Sequence, residues 1–532
     1  MSADVCIVGA GPAGITIATE LMKGGLKICL AESGGFGDEQ PTQHLYHGDS
    51  LGHPILQTEG RYRVFGGSGT RWGGRSAMMD PLDFEGRDWV QNSSWPMTWG
   101  ELLPYYERAK KAGNFKEPWL DDECALASVG KALPHFETSD VVPFVWRFAP
   151  PDPAGARLLR IPSGHRRSFN WGSAHRSAFG RARNLKVFLH ANLVKLEPAA
   201  QGEAIRVARF ASLNGGSLEI AAKAFVLCCS AIENARILLN LNAGLQRALP
   251  GGDNIGRYFA QHPRGTILTV EADKAESLRL QRAINKYEVR GNRTVQYELG
   301  FALSERAQRE HKLLNASAGL CYSSFDVEAA KRMRAALTSR RGYRGALRDF
   351  AHLSLGSLSM IRTLWRKYIT GRQLYFPAGT IRVVADLEQE PRPDSRITLS
   401  AERDALGVPR AVVDWRISEI ERTTARKFAE AVAGELQRLG FGKATLEPWL
   451  TSNEPITEDN LKGNYHLIGT TRMGRTSRDG VVDENARVFG LSNLYVAGSS
   501  IFSTGGHANP TLTIIALTIR LADHLNGALS EG

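Results

Sequence analysis

Two stretches, one near each end of the 532-residue chain, carry groups whose types and spacing could do chemistry. "GGHANPTLTIIALTIRLADHL", Gly505 to Leu525, sets His507, Asn509 and Pro510 at the mouth of a long apolar helix. Asn followed by Pro is a good helix start, because an Asn side chain can satisfy an orphan amide and Pro has no N–H to orphan. A cap explains neither His507 nor the glycines before it. At the other end, "DVCIVGAGPAGITIATELMKGGLKICLAESG", Asp4 to Gly34, contains GxGxxG as Gly9, Gly11 and Gly14. Gly9 permits a tight turn, Gly11 lets the backbone approach a pyrophosphate, and Gly14 lets helix and strand pack closely. The loop Gly9, Ala10, Gly11, Pro12, Ala13, Gly14 would offer its N–H groups to phosphates at a helix N-terminus. Glu32, with Ser33 beside it, follows the next strand at the spacing of a ribose-binding carboxylate. A glycine turn without a ligand does not account for Glu32, so a dinucleotide is expected. The motif alone does not separate FAD from NAD.

The elements that must position these groups are read from hydrophobic pattern. Val5 to Val8 and Leu26 to Ala31 are apolar and strand-like, with a helix over Ile15 to Met22 between them, giving a βαβ unit. Hydrophobic residues make up 42% and charged residues 23%, the balance of an ordinary globular protein, and 532 residues suffice for two or more domains. No apolar run reaches the length of a membrane span. The opening apolar run leads straight into the glycine loop, so it is read as a strand and not a signal peptide. Cys6, Cys29, Cys124, Cys228, Cys229 and Cys321 lack metal-ligand spacing; no metal is expected, and they read as reduced residues of a cytoplasmic protein. The net charge of +11 is concentrated: residues 331–372 hold eleven Lys/Arg and a single acid, Asp349. A uniformly basic nucleic-acid binder would not look like this. The segment reads as two helices serving as a solvated insert, an oligomer contact, or a dock for an anionic membrane or acidic partner.

Further blocks carry a family resemblance. "GGSGTRWGGRSAMMDP" (Gly66 to Pro81), "AFVLCCSAIENARILL" (Ala224 to Leu239), "YHLIGTTRMG" (Tyr465 to Gly474) and "VVDENARVFGLSNLYVAGSSIFSTGGHANPTLTIIAL" follow in that order. Together with "WPMTWGELLPYYERA", "NIGRYFAQHP" and "EQEPRPDSRITLS" they resemble the glucose–methanol–choline (GMC) FAD oxidoreductases. The C-terminal block is most similar to pyranose oxidases and related bacterial sugar-oxidising members. The resemblance implies an α/β fold, α+β overall: a Rossmann-like FAD-binding domain interleaved with a substrate domain on an antiparallel sheet. The implied division is 1–90, 185–270 and 455–532 for FAD, and 91–184 and 271–454 for substrate.

The resemblance also implies site residues. His466 matches the family's catalytic histidine and Asn509 its partner; read without the family, His466 is a core histidine bonded to a carbonyl and Asn509 a helix cap. A neutral imidazole near its ordinary pKa can take an alcohol proton at neutral pH, and an amide can bond the substrate oxygen without competing for it. Ser68, Thr70, Arg71, Trp72, Gly73 and Gly74 would line the flavin. Leu193 and Val194 would meet the adenine, Ser230 and Asn234 would lie near the dinucleotide, and Gly498, Ser499, Pro510 and Thr511 would touch the pyrophosphate, ribityl chain or ring. His507 is a candidate substrate contact, and Gln261 and His262 would border the substrate, with loop structure the competing reading. Pyranose oxidases carry a histidine that bonds covalently to the flavin; here Arg71 takes its place, so FAD is expected to be tight and non-covalent. The implied activity is oxidation of an alcohol of a sugar, glycoside or sugar-like compound, with oxygen or another acceptor re-oxidising the flavin. A non-sugar alcohol and, at greater distance, flavin monooxygenation are the alternatives.

Overall fold

The computed structural model describes residues 1–115, 122–128, 130–150, 169–200, 202–284, 286–289, 295–323 and 380–530. The basic stretch 331–372 lies outside them.

Strand Ser2–Val8 is apolar where it is buried, and it sits in the middle of a sheet. It pairs in parallel with Ile28–Ala31 on one side (Val5 opposite Ile28) and with Ser217–Leu227 on the other (Val8 opposite Leu227). Leu185–Phe188 extends the sheet beyond Ile28–Ala31, and Leu494–Val496 pairs in parallel with Ser217–Leu227. Ile205–Ala211 and Asn192–Pro198 complete it as an antiparallel flap with Asn192–Pro198 at the edge. Near-continuous apolar strands are what a sheet covered on both faces requires. Helix Pro12–Leu21 covers one face and packs on the terminal helix Thr511–Ser530, which packs in turn on Trp99–Ala112. A buried bond between Tyr106 Oη and Thr513 Oγ1, 2.8 Å, fixes that last contact.

Among the described residues the second sheet has nine strands, all paired antiparallel. Its order is Lys443–Leu446, Pro263–Glu271, Thr380–Leu387, Ala316–Ser323, Val295–Leu303, Val141–Phe148, Arg75–Ser76, with Lys286–Val289 and Lys462–Gly463 attached. Helix Glu419–Arg438, opened by a Ser418/Glu421 capping box, buries Ala425, Phe428, Val432 and Leu436 in this sheet's own core. Arg396–Arg403 and Pro409–Trp415 form a hairpin whose second strand pairs with Asp49–Gly52.

The sheets change hands at places other than those read from the sequence. Pro263–Glu271 belongs to the antiparallel sheet, so the chain leaves the parallel sheet after helix Ser230–Ala243 and not at residue 270. Arg75–Ser76 and Lys462–Gly463, assigned to the nucleotide side, also pair there. The strand of "SRITLS" bonds the 409–415 strand and forms a small sheet separate from the nine-stranded one. Alternating polarity identifies a half-buried strand without naming its neighbour.

The glycine loop is packed by its own backbone. A Cβ on Gly14 would lie 1.8 Å from the Gly9 carbonyl oxygen, whereas one on Gly11 would meet nothing within 4 Å. Gly14→Ala is therefore expected to lower the melting temperature of the apoprotein by about 1–3 °C, through overpacking of about 1–3 kcal/mol. Gly11→Ala should leave that temperature nearly unchanged and weaken retention of the dinucleotide; thermal unfolding of the apoprotein and cofactor content after gel filtration measure the two effects.

Candidate active site

Two ladders bring the polar residues together. Pro263 and Arg264 pair with Gly463 and Lys462, and Ala260 exchanges backbone bonds with Ile468 at 3.2 and 2.9 Å. His262 and His466 are held between these two bridges and face each other. Beyond them, the amides of Gly469, Thr471 and Met473 donate to the carbonyls of Ser499, Ser500 and Ile501 at 3.2, 2.8 and 2.8 Å. That second ladder leads through Gly505 to Asn509 and the terminal helix.

Nδ1 of His262 and Nδ1 of His466 are 2.9 Å apart, and Nε2 of His262 is 3.3 Å from the Gly505 carbonyl oxygen. A carbonyl only accepts, so His262 Nε2 carries a proton and donates it. In neutral His262, Nδ1 is then an acceptor, and His466 must donate from its own Nδ1. This leaves His466 Nε2 with its lone pair, 3.3 Å from Nδ2 of Asn509. A Cβ on Gly505 would come within 3.1 Å of His262 Nε2 and 2.5 Å of Ile468 Cδ1, so this close approach requires glycine. The helix begins at Thr511, which puts Pro510 at the cap position, and the Asn509 amide reaches His466 instead of capping.

Burial, then the neighbouring His262, pulls the His466 pKa down to about 3, with Asp386 opposing and Arg264 and Arg75 reinforcing. Burial also lowers the pKa of His262. The expectation of an imidazole near its ordinary pKa is thus corrected: desolvation keeps His466 neutral well into acid and shifts His262 in the same direction. Tyr465, just before His466, adopts φ 57, a conformation uncommon outside glycine, and its Oη donates to Glu59 at 2.6 Å.

A cavity of about 850 Å³ runs from the glycine loop to this pair. Gly9, Gly11, Pro12, Ala13, Glu32 and Ser33 line one part; Leu193, Ser230, Gly498, Ser499, Pro510 and Thr511 also border it; Ser68, Arg71, Trp72, Gly73, His466 and Asn509 line the other end. Its size is within the range of small-molecule and cofactor sites. Six arginines and four carboxylates line it, an excess of positive charge that suits a pyrophosphate. The backbone at Gly11 is open to it, and the chemistry of the lining fits FAD.

A model of the GMC oxidoreductase family matches residues 391–518. The 2-methyl-1,2-propanediol dehydrogenase of Mycolicibacterium austroafricanum is 23% identical over 99% of this chain and 96% of its own. Pyranose 2-oxidase of Lyophyllum shimeji is 29% identical over 29% of this chain and 25% of its own. The fold is that of pyridoxine 4-oxidase from Mesorbium loti, at TM-score 0.56 and 18% identity over 98% of both chains. The resemblance to the GMC oxidoreductases read from the sequence is borne out by these matches. Members of this family bind FAD, and the protein is an oxidoreductase acting on CH–OH donors.

Several residues named from the sequence stand off the cavity. Ala10 and Gly14 are packing positions: the Ala10 amide donates to Glu32 Oε2 at 2.7 Å, and Glu32 Oε1 accepts from Gly34 N at 2.9 Å. Glu32 therefore holds the loop. Its buried carboxyl is shifted upward by desolvation. Thr70 donates to the Gly67 carbonyl, and Asn234 ties Cys229 N to Ser500 Oγ and the Ala497 carbonyl. Gly74 and Val194 also lie outside the lining. His507 and Gln261 are buried away from it. His507 Nε2 is 3.3 Å from Asp80 Oδ2, and Gln261 Oε1 accepts from Tyr465 N at 3.2 Å. Both anchor loops, because a long polar side chain buried beside backbone finds its partner there. Arg71 stands at the rim, paired with Asp38 and 4.3 Å over the Tyr62 ring. Sequence reasoning passed over Arg75, Arg264 and Asn464 and weighed His262 only as a border residue. The one signal for His262 was its place in "QHP" at the start of a strand.

In ¹⁵N-histidine spectra the His466 ring should stay neutral at pH 5, where an exposed histidine is charged, because a lowered pKa preserves the neutral form as pH falls; His262 should titrate below an exposed histidine. A cationic signal from His466 at pH 5, assigned with His466→Asn, would contradict this arrangement.

Proposed function

We propose that the protein oxidises a CH–OH group of a sugar, glycoside or sugar-like compound to a carbonyl, with His466 as base and Asn509 as its partner. The observation that carries this reading is the single cavity joining the glycine loop to the unprotonated Nε2 of His466 beside the Asn509 amide. When bound there, FAD supplies the hydride acceptor. His466 Nε2 takes the hydroxyl proton as the hydride leaves the same carbon, so one proton and one hydride account for the two-electron oxidation. The Asn509 amide donates to the substrate oxygen. The N-terminus of the Thr511–Ser530 helix directs its positive dipole end to the same region. As His466 becomes charged, its Nδ1–H bond to His262 becomes charge-assisted and offsets part of the cost of a buried cation. His262 is thus a positioning residue.

Trp72, Tyr62 and Tyr465 offer aromatic faces, and Asn464 and Arg264 offer polar groups, along the part of the cavity that holds His466. Such a lining supports a polyhydroxylated substrate over a steroid or aliphatic alcohol. A second reading, a small non-sugar alcohol, draws on the full-length similarity to the propanediol dehydrogenase. Oxygen or another acceptor re-oxidises the flavin in either case. Arg71, ion-paired and stacked at the rim, cannot form a histidyl link, and this supports non-covalent FAD in a cytoplasmic protein.

An anaerobic screen of sugars, glycosides and simple alcohols should find sugars that bleach the flavin. His466→Ala should keep FAD and slow bleaching by about 10²–10⁴-fold. His262→Leu should lower kcat more than it raises KM, with partial rescue by His262→Asn; bleaching at an undiminished rate in His466→Ala would remove the base assignment. Acid precipitation should leave the yellow colour in the supernatant, and colour retained in the pellet would refute the non-covalent reading.

A further inference from the structure

Arg264 stands on the cavity wall with Asn464, Tyr465 and His466. It follows directly from His262 at the start of strand Pro263–Glu271. Its side chain is 38% exposed, whereas Asp386 behind it is 5% exposed. Nη1 alone donates to Asp386, at 2.8 and 2.9 Å to the two carboxylate oxygens. Among the described residues Nε and Nη2 of Arg264 have no acceptor.

The neighbours explain why this charge is left for a ligand. Asp386 is shared. It also accepts from Arg75 Nη1 at 2.9 Å and from Asn464 Nδ2 at 3.1 Å. Arg75 is the more buried cation, 13% exposed: it is ion-paired with Glu298, Nε 3.1 Å from the carboxylate without hydrogen-bond geometry, and its guanidinium lies 3.7 Å over the Trp146 ring. The carboxylates of Asp386 and Glu298 are thus turned to the buried side, and of the two guanidiniums that share Asp386, that of Arg264 is the more exposed. A planar guanidinium with two free donors matches a carboxylate in a paired geometry that a lone hydroxyl cannot use. Both arginines also disfavour positive charge at His466, and the same field would repel a cationic substrate.

We propose that Arg264 is a specificity-determining residue that selects a carboxylate-bearing sugar, of the uronic-acid class, over neutral and amino sugars. This deepens the sugar reading above and rests on it. The substrate carboxylate would sit on Nε and Nη2 of Arg264, with its reacting hydroxyl turned to His466.

The test is ligand binding, read as perturbation of the flavin absorption bands of the holoenzyme under anaerobic conditions, with D-glucuronate, D-glucose and D-glucosamine as probes. Wild-type protein should bind glucuronate at least about tenfold more tightly than glucose. Glucosamine should bind least well, and the glucuronate preference should shrink as salt rises. Arg264→Gln should abolish the preference and Arg264→Lys should keep part of it, with FAD content and melting temperature verifying that each variant is folded. Should a variant fail to fold, the wild-type ranking and its salt dependence decide the matter. Glucuronate binding no tighter than glucose in the wild type, or a preference that survives Arg264→Gln, would overturn the proposal. Bleaching by the bound probes is a separate readout: absence of bleaching by any alcohol counts against the oxidase reading, and the order of affinities counts for or against Arg264.

Discussion

A hydrogen bond between two imidazole nitrogens admits one proton, and the rest of the site depends on which ring owns it. The Gly505 carbonyl makes that decision. It can only accept, so it fixes the tautomer of His262, which fixes the tautomer of His466, which leaves the outer nitrogen of His466 bare. No acid takes part in this chain of donors. A carboxylate in place of His262 would raise the pKa of His466 and favour its charged form. A neutral partner leaves the ring uncharged until it takes a proton from outside. The depressed pKa of His466 is the other side of this arrangement: burial makes the charged ring costly at rest, and the cost is recovered when the proton is returned.

Such an arrangement needs three distant pieces of chain held to within tenths of an ångström. His262, His466 and Gly505 belong to segments more than two hundred and about forty residues apart in sequence. They are joined by backbone ladders rather than by side chains alone. The ladder of 260–264 with 462–468 belongs to the antiparallel sheet, and the ladder of 469–473 with 499–501 leads into the parallel one. The cavity lies where the two systems meet. This is why the chain weaves between sheets several times instead of building one and then the other. The loop carrying Gly505 is held from its far side as well: Thr504 donates to the Asp83 carbonyl at 2.7 Å and accepts from Trp95 Nε1 at 2.8 Å. Asp83 sits in that same buried cluster. Its burial, with Asp80 and Glu388 nearby, raises its pKa to about 7.

Much of this was legible in the sequence, unevenly and for physical reasons. The βαβ unit was readable because its signals are local: an apolar strand, three glycines at fixed spacing and an acid after the next strand. The GMC resemblance supplied His466 and Asn509, whose types alone would have been read as a core histidine and a cap. Positions whose meaning depends on a non-local partner stayed open between two readings. Gln261 and His507 look like substrate contacts in isolation, yet one bonds the Tyr465 amide and the other faces Asp80. The boundary at residue 270 failed likewise, since alternation cannot say which sheet a strand joins.

Arg264 shows what remains hidden from a one-dimensional reading. A lone arginine at the start of a strand is, on its face, a solvated charge. Its significance comes from Asp386, more than a hundred residues later, which is too crowded to satisfy it. With two guanidiniums and an amide around one carboxylate, each donor receives less than its full complement. The one nearest solvent keeps unused capacity. That capacity faces the compartment in which His466 waits for a proton, so the guanidinium that adds to the desolvation keeping the base neutral also sorts what reaches it. Selection by charge and readiness of the base are therefore one property of this wall: a change that relieved Arg264 by adding a second carboxylate would ease protonation of His466 and weaken discrimination together.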